Sequence, residues 1–151
     1  MVTLRNGNQV LPNWTLRFEE VSNNVYHVEL TDNFGRQTST TDHDLIKAID
    51  TCEGYAFDIE RQISKHWGRF LFDYSLLQLN NKPVTEEKYH DTAFGSWYII
   101  CNNKRLIYDG RDNVLLIQNH NQTDSDWKQY DAISVKELTY TKYKEFLSFL
   151  K

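Results

Sequence analysis

The chain has little of what would mark it as anything but an ordinary globular domain. Two prolines and six glycines in 151 residues exclude collagen-like, linker-like and low-complexity architectures. Two cysteines, Cys52 and Cys101, are too few for the disulfide framework of a small secreted domain. Cys52 falls on the apolar side of a helical pattern and Cys101 closes a strand-like run, so both read as small buried hydrophobes. Long apolar runs are missing too. Segments 97–101 and 114–117 fall far short of the roughly 20 residues of a membrane-spanning helix, so no membrane is expected as a partner. The opening stretch, MVTLRNGNQVLPNW, has neither the apolar centre nor the small-residue cleavage site of a signal peptide, which points to the cytoplasm.

Catalytic signatures are scarce as well. There is no P-loop, no Gly-x-Gly-x-x-Gly and no Gly-x-Ser-x-Gly elbow. The histidines are His27, His43, His66, His90 and His120, and no two stand at the short spacing that builds a zinc site. The His43-Asp44 pair would suit a metal phosphohydrolase only with further histidines and an aspartate on surrounding helices, and none is evident. No metal and no cofactor are therefore expected. Cys101 with His90 or His120 is formally a nucleophile and base, yet Cys101 follows Tyr98-Ile99-Ile100 and lacks the electropositive, accessible setting of a reactive thiol. Asp109 and Asp112, and likewise Asp124 and Asp126, could serve acid–base chemistry if the fold gathered them. Their ordinary reading is turn chemistry, and the acids around Gly110 would repel a phosphate. Nothing here argues for an enzyme.

What is present is a domain-sized, core-forming composition. At 40% apolar and 14% aromatic residues the sequence reads as one domain over 1–151. A chain of that length buries roughly 68–70% of its unfolded surface and needs no staple. Alternation predicts strands at 14–18, 25–30 and 36–40, broken by Ser22-Asn23-Asn24 and Asp32-Asn33-Phe34-Gly35. Thr41 or Asp42 can then cap a long helix whose stripe is Leu45, Ile49, Cys52, Ala56, Ile59 and Ile63. That helix is expected to end near His66-Trp67-Gly68, with Gly68 just past its end. Segment 70–79 fits either strand or helix, and the alternating aromatics Phe70, Phe72 and Tyr74 favour strand, ended by Asn80-Asn81-Lys82-Pro83, with an exposed loop or one helical turn over 85–92. Segments 97–101 and 105–108 form a hairpin across Asn102-Asn103-Lys104, and the Asp109–Asp112 turn leads into a further strand at 114–118. After a polar loop over 119–126, a last strand centres on Ala132–Val135. A short helix capped by Thr141 closes the chain, with Tyr143, Phe146, Leu147 and Leu150 on one face. The expected fold class is α+β: an antiparallel sheet of about six to seven strands packed against one long helix, with a short C-terminal helix.

Charge is distributed unevenly. From Glu19 to Glu60 ten acids face only Arg36 and Lys47, a net −8 within a chain of net −4. This argues against nucleic acid as a partner and permits attraction to a basic one. The acids of the long helix and its approach, Asp42, Asp44, Asp50, Glu53, Asp58 and Glu60, are the candidate contact surface, and the stripe turns Asp50 and Asp58 towards solvent. Four tryptophans, nine tyrosines and eight phenylalanines are many for a small core. Tyr89, Trp97, Tyr108, Arg111 and Trp127 form a second candidate interface of the residue types that dominate binding hot spots.

In size, acidity, α+β build and shortage of catalytic motifs, the chain resembles bacterial immunity proteins, the cytoplasmic antidotes of contact-delivered or secreted toxins. The resemblance extends over the whole chain in general character. It implies a protein-binding inhibitor that covers the active cleft of a basic toxin domain, a nuclease among the candidates. Two other classes fit the same composition. One is a small-molecule-binding or enzymatic α+β domain with a pocket between helix and sheet lined by Trp67, Phe70 and Tyr74. The other is a structural adaptor subunit. The sequence leaves the oligomeric state open.

Overall fold

The computed structural model describes residues 11–63, 65–79, 84–91, 94–120 and 126–150. Two compact units divide the chain, Met1–Ile63 and Ser64–Lys151, each with its own antiparallel sheet.

The first unit is a meander of β1 (Trp14–Ser22), β2 (Val25–Asp32) and β3 (Gln37–Asp42), followed by α1 (Leu45–Ile63). Asn24 at φ 60° and Gly35 at φ 84° supply the left-handed residues of its two turns. Period-two alternation sorts the sheet. Trp14, Val28 and Leu30 are buried with the face that includes Leu16 and Phe18, whereas Thr15, Arg17, Glu19 and Ser39 are exposed on the other. α1 packs on β2 and β3, and its buried stripe is Ala48, Ile49, Cys52, Glu53, Ala56, Phe57 and Glu60. That stripe is rotated from the expected one. Ile59 is only half-buried and Ile63 is exposed, while two glutamates and Phe57 take the core-facing positions.

A buried polar network explains the rotation. Glu60 Oε1 accepts the Trp14 indole N–H at 2.9 Å and an Arg36 guanidinium N–H at 3.1 Å. Arg36 Nε also pairs with Asp32 Oδ2, and Asp32 Oδ1 accepts the backbone N–H groups of Phe34 at 2.9 Å and Arg36 at 2.7 Å. The Asp32 side chain is only 1% exposed and that of Glu60 10%. One guanidinium thus ties the β2–β3 turn to α1, lying over the Trp14 ring at 5.8 Å.

In the second unit α2 (Trp67–Gln78) precedes β4 (Glu86–Tyr89), β5 (Trp97–Cys101), β6 (Lys104–Asp109), β7 (Val114–His120) and β8 (Trp127–Ser134); a 3-10 turn (Val135–Glu137) and α3 (Tyr140–Leu150) close it. The five strands lie in sequence order. One face buries Trp97, Ile99, Leu106, Tyr108, Leu115 and Ile117, the face on which α2 and α3 pack. The Trp97 indole donates to the Gly68 carbonyl at 2.7 Å, and Ser75 shares a 2.7 Å hydroxyl bond with Tyr143, linking α2 to α3. Gly110 is needed for close approach: a Cβ there would stand 1.7 Å from the Phe94 carbonyl oxygen. The buried face of α3 is Tyr143, Phe146, Leu147 and Leu150, the four residues the sequence pattern selects.

The α+β class stands, but its arrangement differs from one sheet of six to seven strands on one long helix. Among the described residues there are sheets of three and five strands and three helices. The main departure is segment 70–79, which is helix rather than strand. Trp67, Phe70, Leu71, Tyr74 and Ser75 are buried at helical spacing, with Trp67 and Phe70 stacked at 5.2 Å and Phe70 5.9 Å from Tyr74. α1 accordingly stops at Ile63, and Gly68 lies inside α2 rather than past a helix end. Residues 86–89 form an edge strand, specified by pairing with β5 and carrying the charges that protect an open edge. Thr139 rather than Thr141 caps α3, accepting the Lys142 N–H at 3.1 Å. The Asn80–Pro83 break lies outside the described residues.

Two predictions follow from the polar contacts. Replacing Arg36 by Met strands the carboxylates of Asp32 and Glu60 and should lower the unfolding free energy by about 3 kcal/mol, read from urea denaturation. A loss under about 0.5 kcal/mol would mean that the network contributes little. In the second unit Lys142 Nζ stands 3.0 Å from Asp131 Oδ2 and, with the Ala132 N–H, holds the Asp131 carboxyl below its ordinary range. A depressed carboxylate stabilises above its unfolded pKa and ceases to do so as pH falls through the folded value. Asp131→Asn should therefore lower the melting temperature at neutral pH and leave it unchanged in acid.

Candidate functional site

The sheet register of the first unit gathers acids that are scattered in sequence. Glu20 pairs with Tyr26 and Tyr26 with Asp42; one step along, Glu19 pairs with His27 and His27 with Thr41. Asp44 follows directly as the N-cap of α1, its Oδ1 accepting the N–H of Ile46 at 3.0 Å and of Lys47 at 3.2 Å. Asp42 Oδ1 accepts the Asp44 N–H at 2.9 Å, an Asx turn that fixes the approach to the helix. Glu20 and Asp42, one strand apart on either side of Tyr26, stand about 10 Å apart by strand spacing. Neither arginine nor lysine occurs at 19–27 or 41–44.

A bulge adds an apolar element to this acidic end. The β1–β2 register shifts between Glu20 and Ser22, leaving Val21 as the extra residue, and its side chain is 53% exposed. Tyr26 beside it is half-buried. The end of the sheet therefore presents Val21 and Tyr26 next to Glu20 and Asp42, with Glu19 on the opposite face and Asp44 just beyond Asp42.

The six acids proposed from sequence do not form one surface. Asp42 and Asp44 belong to the sheet end just described, and Asp50 and Asp58 are half-exposed on α1, Asp58 being 3.9 Å from Arg61. Glu53 and Glu60 are buried, so their carboxylates are not offered to a partner. Their helical positions, three and four residues from Ala56 and Phe57, place them on the core-facing stripe. The aromatic set disperses as well. Trp97 and Tyr108 are core residues with rings 6.0 Å apart. Tyr89 is half-buried 5.5 Å from Phe72, with the Arg69 guanidinium over its ring at 4.7 Å. Arg111 is exposed above Phe94 at 5.4 Å, and Trp127 is half-buried under Arg105 at 4.3 Å.

Glu19, Glu20 and Val21 were not among the candidate site residues, although the signal for them was in the sequence. The Ser22-Asn23-Asn24 turn sets Glu20 against Tyr26, and the next turn brings Asp42 to the same row.

The groups considered for chemistry are engaged in structure. Asp109 Oδ1 accepts the Arg111 and Asp112 N–H groups at 3.0 and 3.4 Å, as turn chemistry requires. Asp124 lies outside the described residues. Among the described residues no group of three or more His, Cys, Asp or Glu side chains is placed to hold a metal ion. Trp67, Phe70 and Tyr74 are buried, and Tyr74 carries on to Tyr143 at 5.5 Å. No helix among the described residues is long and apolar enough to cross a membrane.

No family model matches the chain, and neither the curated proteins nor the solved structures contain a match to it.

Both cysteines are buried as free thiols. Burial pushes the Cys52 thiol up to about 11 and raises that of Cys101 as well. Because the thiolate is the reactive form, neither should react with a thiol-specific disulfide reagent at pH 8 in the native protein, and both should react promptly in denaturant. Fast native labelling of Cys101 would reopen a nucleophilic role for it.

Proposed function

We propose that this protein is a binding inhibitor of the immunity-protein kind, which neutralises a basic toxin domain by occupying its cleft with the acidic end of the first unit. The observation that carries the reading is the placement of Glu20 and Asp42 on either side of Tyr26, with Val21 next to Glu20, Glu19 on the opposite face of the same sheet end and Asp44 just beyond Asp42. An inhibitor needs a complementary surface and no chemistry of its own. Carboxylates without interleaved bases attract a cationic cleft from a distance, and steered association reaches roughly 10⁸–10⁹ M⁻¹s⁻¹ at low salt. Exposed Val21 and half-buried Tyr26 supply apolar contact beside these carboxylates, and contacts that exclude water contribute most to affinity. The chain's uneven charge agrees. The segment from Met1 to Ile63 holds ten acids against five bases, while the remainder is close to neutral.

The test is capture of the partner by the tagged protein from lysate of its source, washed at low and at high salt, followed by rescue of cells from the captured protein's toxicity. Association with that partner is then timed for the wild type and for Glu20→Lys/Asp42→Lys. The reversal should slow association about ten-fold at low salt, with the difference shrinking as salt rises. Reversal of Asp50 and Asp58 on the helix should matter less. An unchanged rate in the first variant would remove the sheet end as the contact surface, and a captured partner with no toxicity to suppress would remove the inhibitor reading.

A further inference from the structure

Arg105 in β6 is half-buried on the sheet face opposite the helices and pairs with no carboxylate among the described residues. Its Nε donates to Gln118 Oε1 at 2.9 Å, and its Nη2 donates to the same oxygen. The guanidinium carbon Cζ lies over the Trp127 ring, 4.3 Å from the centroid, and Trp127 is in turn 5.1 Å from the His120 ring. A guanidinium has five N–H donors in a rigid fork, and Gln118 occupies two of them along one edge. The Nη1/Nη2 end of the fork finds no acceptor among the described residues, and that end matches a two-oxygen anion. Desolvation works against the lone charge here and lowers the Arg105 pKa. An arriving anion would relieve that cost.

From this geometry we infer that Arg105, held by Gln118 and Trp127, is a recognition site for a monocarboxylate with an apolar body. The apolar body follows from the neighbours on the same face: Ile100 directly across from Arg105, then Ile107 and Leu116, all half-buried. The single negative charge follows from the electrostatics. Arg105 offers the one fork of donors, while Glu86 and Lys88, two residues apart in β4 on the same face, offset one another, the Glu86 carboxylate accepting the Tyr98 hydroxyl at 2.7 Å. A phosphate dianion would keep one charge uncompensated. The site lies in the other unit from the acidic sheet end and is independent of the inhibitor reading.

The experiment is a titration of the isotope-labelled full chain with sodium benzoate, and separately with inorganic phosphate, following the Arg105 Nε–H and Trp127 indole resonances. Benzoate should shift both saturably and bind about five-fold or more tightly than phosphate. Arg105→Lys keeps the charge but loses the fork, and should lose most of the benzoate response. Gln118→Glu supplies the missing counter-ion from within the protein; it should raise the melting temperature and abolish the benzoate shift. Absence of a saturable benzoate shift in the wild type, equal affinity in Arg105→Lys, or phosphate binding as tightly as benzoate would each overturn the assignment.

Discussion

The first unit depends on one guanidinium shared between two carboxylates that the fold takes out of water. Asp32 and Glu60 would each be costly to bury alone, and Arg36 satisfies both while the Trp14 indole and two backbone N–H groups complete the set. The arrangement makes three separate elements interdependent. The β2–β3 turn takes its shape because Asp32 bonds Phe34 and Arg36, the phase of α1 is set because Glu60 must face the network, and the start of β1 is held by its indole. Phe34 is a by-product of that rigidity: the locked turn leaves its ring 86% exposed. Polar contacts of high sequence separation do comparable work in the second unit, where the Trp97–Gly68 and Ser75–Tyr143 bonds fix how helices meet sheet and one another.

How much of this was legible in the sequence follows from the range of the interactions involved. Strands with clean alternation and asparagine or glycine turns could be read directly: β1, β2, the β5–β6 hairpin and β7 all lie close to their expected places. α3 and its buried face were equally plain, because a short amphipathic helix is encoded by its own residues. Segment 70–79 was not, since Phe70, Phe72 and Tyr74 satisfy a period of two while Trp67, Phe70, Leu71 and Tyr74 satisfy the helical period as well. Burial on several sides blurs both periods, and packing of Phe72 against Tyr89 and Trp97 resolves the ambiguity only in three dimensions. β4 has a charged sequence, Glu-Glu-Lys-Tyr, with no intrinsic strand signature; it exists through its pairing with β5.

The candidate sites were less legible than the fold, for a related reason. A helical stripe drawn from apolar residues alone cannot include Glu53 and Glu60, because a buried carboxylate is recognisable only from its partners. The same blindness applies to Trp97 and Tyr108, whose types suit interfaces and cores alike. Pairing carried the information that composition lacked. Once the two turns of the first meander are placed, register alone brings Glu19, Glu20 and Asp42 to one end of the sheet.

Charge in this molecule is thus used in two opposite ways, and burial distinguishes them. Where Asp32 and Glu60 are taken inside, each is matched by donors of definite geometry, so the protein's own stability consumes their binding capacity. Where carboxylates remain at the sheet end, Asp42 and Asp44 direct one oxygen each to backbone N–H groups and Glu20 bonds the Asn24 N–H at 3.1 Å, which orients the side chains without neutralising them. Oriented, solvated and unneutralised charge is poor at stabilising a fold but effective at attracting an opposite charge, because its field extends into solvent and its side chains have little freedom left to lose on contact. Under the proposed inhibitor reading the solvated acids Glu20 and Asp42 serve recognition, and their substitution is expected to separate binding from stability in a way that substitution at Asp32 or Glu60 cannot.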